Sequence, residues 1–218
     1  MHLAVKLYAI FMKHLLMPVL VFTLYACGQN KSKPDIIINS TAGDTIESQI
    51  TSMSNYMPTI DKAHPNAKRL MNEEFYWSSI EESAPFGNDD GADTYASFAD
   101  WRRDHKGGIL TTFLEQQINY WGYPEFDLKE TNLEKLVPYL KESDMASRYM
   151  SGIDAAIVAI AFGQLYLEGK IDKGFNELAQ IAIKRQLIPK LLQLWGNDYM
   201  VTRQSQLQIM LRALEQAP

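Results

Sequence analysis

Residues 154–169, DAAIVAIAFGQLYLEG, decide more about the fold than any other stretch of the chain. Wound at 3.6 residues per turn, this segment carries apolar side chains on nearly every face and leaves no stripe for water. It is predicted to be a central helix buried on all sides. Everything else has to supply the surfaces that wrap it.

The remaining periodic segments are helical too. In 72–83, NEEFYWSSIEES, Asn72 is the expected N-cap, with Phe75, Ile80 and either Tyr76 or Trp77 facing inward. In 93–104, Tyr95, Phe98 and either Trp101 or Arg102 share a face. In 108–122, Ile109, Leu110, Phe113, Leu114, Ile118 and Trp121 recur every three or four residues before a Gly122 stop. Leu133, Leu136, Val137 and Leu140 repeat the pattern in 131–142, where Pro138 is placed to kink or split the helix. Segments 173–186, 188–196 and 202–216 complete the set. No strand series competes, so the fold class is all-α: a single compact multi-helix domain after a flexible N-terminal tether. Two smaller patterns carry less. Gly163, Tyr166 and Gly169 are spaced as in Sel1 or tetratricopeptide hairpins, but one copy is no array and implies only a tight helix pair. Trp121-Gly122 and Trp195-Gly196, each followed by a leucine twelve residues after the Trp, read as a coincidence of helical phase.

The 218 residues are 46% hydrophobic and 22% charged, an ordinary globular composition. Twenty-six acidic residues against 21 basic ones give a net charge of −5, which argues against general nucleic-acid binding. The one cysteine, Cys27, rules out an internal disulfide and a Cys-rich zinc site.

The first residues are expected to lie outside the fold. Residues 15–26, LLMPVLVFTLYA, follow Lys13 and His14 and match the apolar core of a signal peptide, being short for a bilayer span. The run ends in LYAC, Leu24 to Cys27, which resembles the lipobox of bacterial lipoproteins, with Tyr25 departing from the usual small or aliphatic residue. That resemblance implies cleavage before Cys27, acylation of its sulfur and amine, and, with Gly28 next, sorting to an outer membrane facing the periplasm. Met12 opens a complete leader of its own and is the alternative start. The expected organisation is a signal peptide over 1–26, a lipid-anchored linker over 27–60 and a helical domain over 61–218. GQNKSKP and NSTAGDT make the linker polar and breaker-rich, around a short β-prone DIIIN. A flexible chain of ~35 residues reaches ~30–35 Å.

Charge gathers in one place. Without residues 1–26 the chain nets −7, and residues 72–104 alone net −7, from Glu73, Glu74, Glu81, Glu82, Asp89, Asp90, Asp93, Asp100 and Asp104 against Arg102 and Arg103. Such a segment is either a solvated face or a field that attracts cationic partners. Within it lies APFGNDDGAD, residues 84–93. An EF-hand is excluded: with Gly91 sixth, Phe86 and Ser97 fall at the first and twelfth positions and cannot supply the ligands. The first reading is a turn that starts a helix. Pro85 and Gly87 turn the chain, Asn88 or Asp90 makes an Asx turn, and Asp90 or Asp93 caps the helix. A looser ligand site on Asp89, Asp90 and Asp93 is the alternative.

His64–Arg102, HPNAKRLMNEEFYWSSIEESAPFGNDDGADTYASFADWR, followed by WGYPEFD at 121–127, resembles a family of uncharacterised bacterial proteins that includes the YfeS-like proteins. PFGNDDGAD also resembles the PFxNDDAxD opening of a second small uncharacterised family. The resemblance implies that Pro85, Phe86, Asn88, Asp89, Asp90 and Asp93 form a shared motif. It implies no activity, and the lipobox departs from it.

Catalytic groups are scarce. After the leader only His64 and His105 remain, and no GxSxG, HExxH, P-loop or GxGxxG pattern occurs. His64 before Pro65 reads as exposed linker, and His105 as the end of a helix, where a cation suits the dipole. Glu74 and Glu81 share a helical face, expected to be solvated. Tyr76, Trp77, Trp101, Tyr120, Trp121 and Trp195 are expected in the core, with a carbohydrate or peptide platform as the alternative. No catalytic residue, metal ligand or cofactor is assigned. The candidate binding residues are Phe86, Asn88, Asp89, Asp90, Asp93, Trp101 and Arg102, and Cys27 is the lipid-attachment site. Three functions fit: a lipid-tethered protein binding a basic protein partner through residues 72–104, an immunity protein that masks a toxin, and a carboxylate- or metal-dependent hydrolase.

Overall fold

The computed structural model describes residues 57–218. Within them the chain forms eight α-helices and no strand: α1 Pro65–Leu70, α2 Asp89–Asp104, α3 Leu110–Trp121, α4 Leu133–Glu142, α5 Ala146–Glu168, α6 Lys173–Gln186, α7 Pro189–Leu192 and α8 Asn197–Glu215. The class is all-α, as the periodicity predicts. The expected leader, Cys27 and the expected linker as far as residue 56 lie outside the described residues.

α5 is the axis. Ile153, Ala156, Ile157, Ala159, Ile160, Ala161, Phe162 and Leu165 are wholly enclosed. α1, α2, α3, α4 and α6 all pack on it, and α8 closes the far side of α6. With 23 residues, of which an 18-residue window has a mean hydropathy of 1.5, α5 is long and apolar enough to cross a membrane, yet 83% of that window is buried inside the protein. Each large side chain it buries contributes ~1.5–3 kcal/mol, so α5 alone supplies much of the drive to fold. α2 lays Tyr95 and Phe98 against α5, with Tyr95 edge-on to Tyr166 at 5.8 Å. Phe98 meets Phe113 of α3 at 5.4 Å. Of the two candidates for the inward position on α2, Arg102 is buried and Trp101 half-buried.

Gly169 ends α5 with φ +73°, a left-handed cap that glycine adopts without strain. A Cβ there would lie 2.0 Å from Nδ1 of His64, so glycine is also required for space. His64 is therefore not exposed linker. Its Nδ1 accepts the Asn66 N–H at 3.1 Å and caps α1, and its own N–H donates to Tyr166 O at 3.0 Å.

The helix expected over 72–83 does not form. Glu74–Trp77 makes a single 3-10 turn, Asn72 caps nothing, and Ile80 is 86% exposed. Tyr76 is buried and Trp77 half-buried. The run Phe-Tyr-Trp-Ser-Ser has weak helix propensity, and tertiary bonds outcompete it: Trp77 Nε1 donates to Met71 O, and Glu81 and Ser83 both engage Tyr199 of α8. Glu74 and Glu81 thus share no helical face. Ile109 is also outside its expected face, because it is the N-cap of α3 rather than part of it. Pro138 does not split α4. The Trp-Gly echoes differ: Gly122 closes α3 at ψ 27°, whereas Gly196 precedes α8 at ψ 156°.

Candidate functional site

Two buried arginines organise the side of α5 that faces α6 and α8. Arg185 of α6 and Asp154 of α5 are fully enclosed. Arg185 donates through Nε to both Asp154 oxygens at 3.2 Å and through NH2 to Oδ1, while NH1 donates to the carbonyls of Leu128 (3.0 Å) and Glu130 (2.8 Å). Its guanidinium stacks on Phe126 at 4.9 Å. Every donor nitrogen is used, and the segment after α3 is fastened to the core. Burial pushes the Asp154 carboxyl up, and the Arg185 charge opposes that shift.

Arg203 of α8 is 4% exposed, and among the described residues no carboxylate contacts it. NH1 donates to Ser83 Oγ at 3.3 Å and NH2 to Gln186 Oε1 at 2.7 Å, both neutral acceptors. Nε, buried, has no acceptor among the described residues. The indole of Trp195 lies 3.6 Å from the guanidinium carbon.

Over this arginine folds the 81–88 loop. Phe86 is buried and packs on Tyr95 at 4.7 Å, pinning the loop to α2. Asn88 caps α2: its Oδ1 accepts the Gly91 N–H at 2.9 Å, and its Nδ2 donates back to the carbonyls of Glu82 and Ala84 at 3.2 and 3.3 Å. The cap is Asn88 rather than Asp90 or Asp93, since only Asn88 stands just ahead of the helix in extended conformation. Gly91 is needed by close approach, because a Cβ there would lie 2.4 Å from Pro85 O. Asp89 and Asp90 occupy the first turn, where the helix dipole favours them.

Asp90 pairs with Arg148 of α5 through a two-nitrogen fork. Asp89 and Asp93 are exposed and form no ion pair among the described residues. Burial, and then the Asp89 and Asp90 charges, push the Asp93 carboxyl up. Tyr199 donates its O–H to Glu81 and accepts the Ser83 N–H at 3.1 Å, and its own phenol is raised by burial.

These residues enclose a cavity of about 200 Å³ between the loop and helices α5, α6 and α8. Ser83, Pro85, Asn88, Asp89 and Asp90 form one wall, Arg148, Ser151 and Gln186 the other, with Arg203 and Trp195 across them. Exposed Glu82 and Asp89 stand at its edge.

The candidate binding residues do not form one site. Asn88, Asp89 and Asp90 border the cavity, and Phe86 lies behind it. Trp101 and Arg102 sit about 17 Å further along α2. Arg102 is a tie between α2 and α5: Nε and NH2 clasp Glu168 at 2.5 and 3.1 Å, and NH1 donates to Gly108 O at 2.6 Å. That clasp, helped by Gln164, holds the Glu168 carboxyl below the usual carboxylate range. Trp101 stacks flat on His105 at 4.9 Å, and His105 ends α2 as expected. Tyr76 is in the core and Trp77, Trp101, Trp121 and Trp195 are half-buried, but Tyr120 is 85% exposed on the outer face of α3. Among the described residues no three His, Cys, Asp or Glu side chains gather at metal-ligand distance.

Sequence reasoning missed Arg148, Arg185 and Arg203. One signal was available. Asp154 opens an apolar helix, and a carboxylate buried there requires a cationic partner. Nothing in the sequence says which arginine answers it.

No family model and no solved structure matches the chain. An uncharacterised protein of Escherichia coli strain K12, YfeS, is 27% identical over 142 residues. The alignment covers 63% of this chain and 56% of that protein's own length. The likeness to YfeS-like proteins therefore holds, and with it comes no biochemical role.

Proposed function

We propose that this chain is a lipid-anchored envelope protein that binds a basic protein partner through the rim formed by residues 82–93. The tether rests on the Leu24–Cys27 lipobox and the apolar run before it. One observation carries the binding half. The motif divides its labour: Phe86, Asn88 and Gly91 are committed to holding the loop against α2, while Asp89, at the cavity edge, and Asp93, one turn further along α2, are exposed and form no ion pair among the described residues. Carboxylates free of ion pairs among the described residues, fixed in the first two turns of α2, form a negative rim that favours cationic groups at short range. The other acidic residues of 72–104 contribute unevenly, since Asp90 pairs with Arg148 and Asp100 with Arg103. Charge alone gives steering more than affinity, so the partner must also bury surface around the rim.

A photo-crosslinking residue placed at Asp89 in the full chain, expressed in a two-membrane bacterium, tests this. It should trap one discrete basic protein, and a crosslinker at Gln208 on α8 should not. Equal trapping at both positions, or none at Asp89, rejects the rim as the contact.

A further inference from the structure

The inner face of the cavity differs in sign from its rim. The buried charges around α5, α6 and α8 are Asp154, Arg185 and Arg203, two cations and one anion. Asp154 accepts its hydrogen bonds from Arg185, and it and Glu82 act on Arg203 only through space. Arg203 thus keeps a positive charge in a nearly closed setting, with neutral acceptors on two nitrogens and, among the described residues, none on the third. Burial pulls its pKa down from the usual arginine value, yet a guanidinium starts so high that it stays protonated at neutral pH. A buried charge without a counter-ion in contact is costly, and an anion that supplies one would offset that cost.

We propose that Arg203 is an anion hook and that the cavity binds the carboxylate of a small organic acid or of a peptide C-terminus. This goes beyond the acidic-rim reading and does not need it. Three features select a carboxylate. The guanidinium is a planar fork matched to two coplanar oxygens. Trp195 stacked at 3.6 Å fixes the plane of that fork. Among the described residues Arg203 is the arginine on the wall with no carboxylate in contact, since Glu82 and Asp154 reach it only through space and Arg148 is already paired with Asp90. A phosphate dianion would exceed that charge and face Glu82 and Asp89 at the edge. Gln186, whose oxygen already accepts from Arg203, offers its amide N–H groups to the same anion. The volume of about 200 Å³ limits the guest to a short acid or one terminal residue.

Calorimetric titration of the full chain in detergent is the test, with four probes at constant ionic strength: propionate, acetyl-Gly-Ala-Gly as the free acid, the same peptide amidated, and inorganic phosphate. The expected result is saturable binding of propionate, or of the peptide acid, at least tenfold tighter than the amide and than phosphate. Binding of propionate alone identifies free small acids as the source, and binding of the peptide acid identifies chain termini. Equal binding of acid and amide overturns the proposal, as does no binding of either acid, or phosphate as the tightest probe. Arg203→Lys keeps the charge and removes the fork, and should weaken the acid at least tenfold. Should that variant fail to fold, the acid–amide comparison on the unaltered chain decides alone. The rim reading fails separately, on its crosslink.

Discussion

Replacing Asp154 by alanine removes the only carboxylate within reach of Arg185 among the described residues. Arg185 keeps the Leu128 and Glu130 carbonyls through NH1 but leaves Nε and NH2 without acceptors in a site it cannot escape, being fully buried. Breaking a buried pair from one side costs about 3–5 kcal/mol. That is a large share of a total stability of roughly 5–15 kcal/mol. For a domain of this size each kcal/mol lowers Tm by about 2–4 °C, so the loss should be about 6–20 °C. The companion variant, Asp154→Leu with Arg185→Met, removes both charges and should recover most of that loss, because well-packed apolar replacements of buried pairs are commonly neutral or better. Urea denaturation of the full chain, monitored by tryptophan fluorescence, reads both. A single variant within about 1 kcal/mol of the unaltered chain, or a double variant less stable than the single one, refutes the reasoning.

Asn88→Ala removes the α2 cap and two bonds that brace the loop, and should cost about 1–2 kcal/mol in the same urea titration. Gly91→Ala forces a methyl against Pro85 O and should cost about 1–3 kcal/mol, with amide exchange rising first in residues 82–90. Glu168 is depressed in the folded state, so its clasp stabilises above the ordinary glutamate value of about 4.3 and is lost as pH falls through the folded value. The stability gap between the unaltered chain and Arg102→Met should therefore be full at pH 7 and shrink below about pH 4, as read by urea midpoints. Cys27→Ser should release the chain to the aqueous fraction and remove any acyl mass from the mature N-terminus.

The central helix was legible because apolar residues on every face leave one solution. α3, α6 and α8 were legible because their stripes match one helical period. The 72–83 segment was not, since Trp77 and Glu81 are placed by Met71 and Tyr199, partners that no local pattern reveals. For the loop, turn chemistry was readable from Pro85, Gly87 and Asn88, but the cap was expected at Asp90 or Asp93 and falls on Asn88, because the cap is whichever residue sits just before the first turn. The cavity was illegible for a plainer reason. Ser83, Arg148, Gln186 and Arg203 come from four separate parts of the chain, and only the packing of α5, α6 and α8 joins them. Trp101 and Arg102 were grouped with the loop because they are close in sequence, while the rise of α2 carries them to its other end.

Fluorescence anisotropy of a labelled eight-lysine peptide, titrated with the full chain at low and at physiological salt, is the most direct measure of the rim. The unaltered chain should bind at low salt, weaken as salt rises, and lose at least tenfold in affinity in the Asp89→Lys, Asp93→Lys double variant. Equal binding by that variant, or no binding at low salt, would contradict a recognition surface built on these two carboxylates.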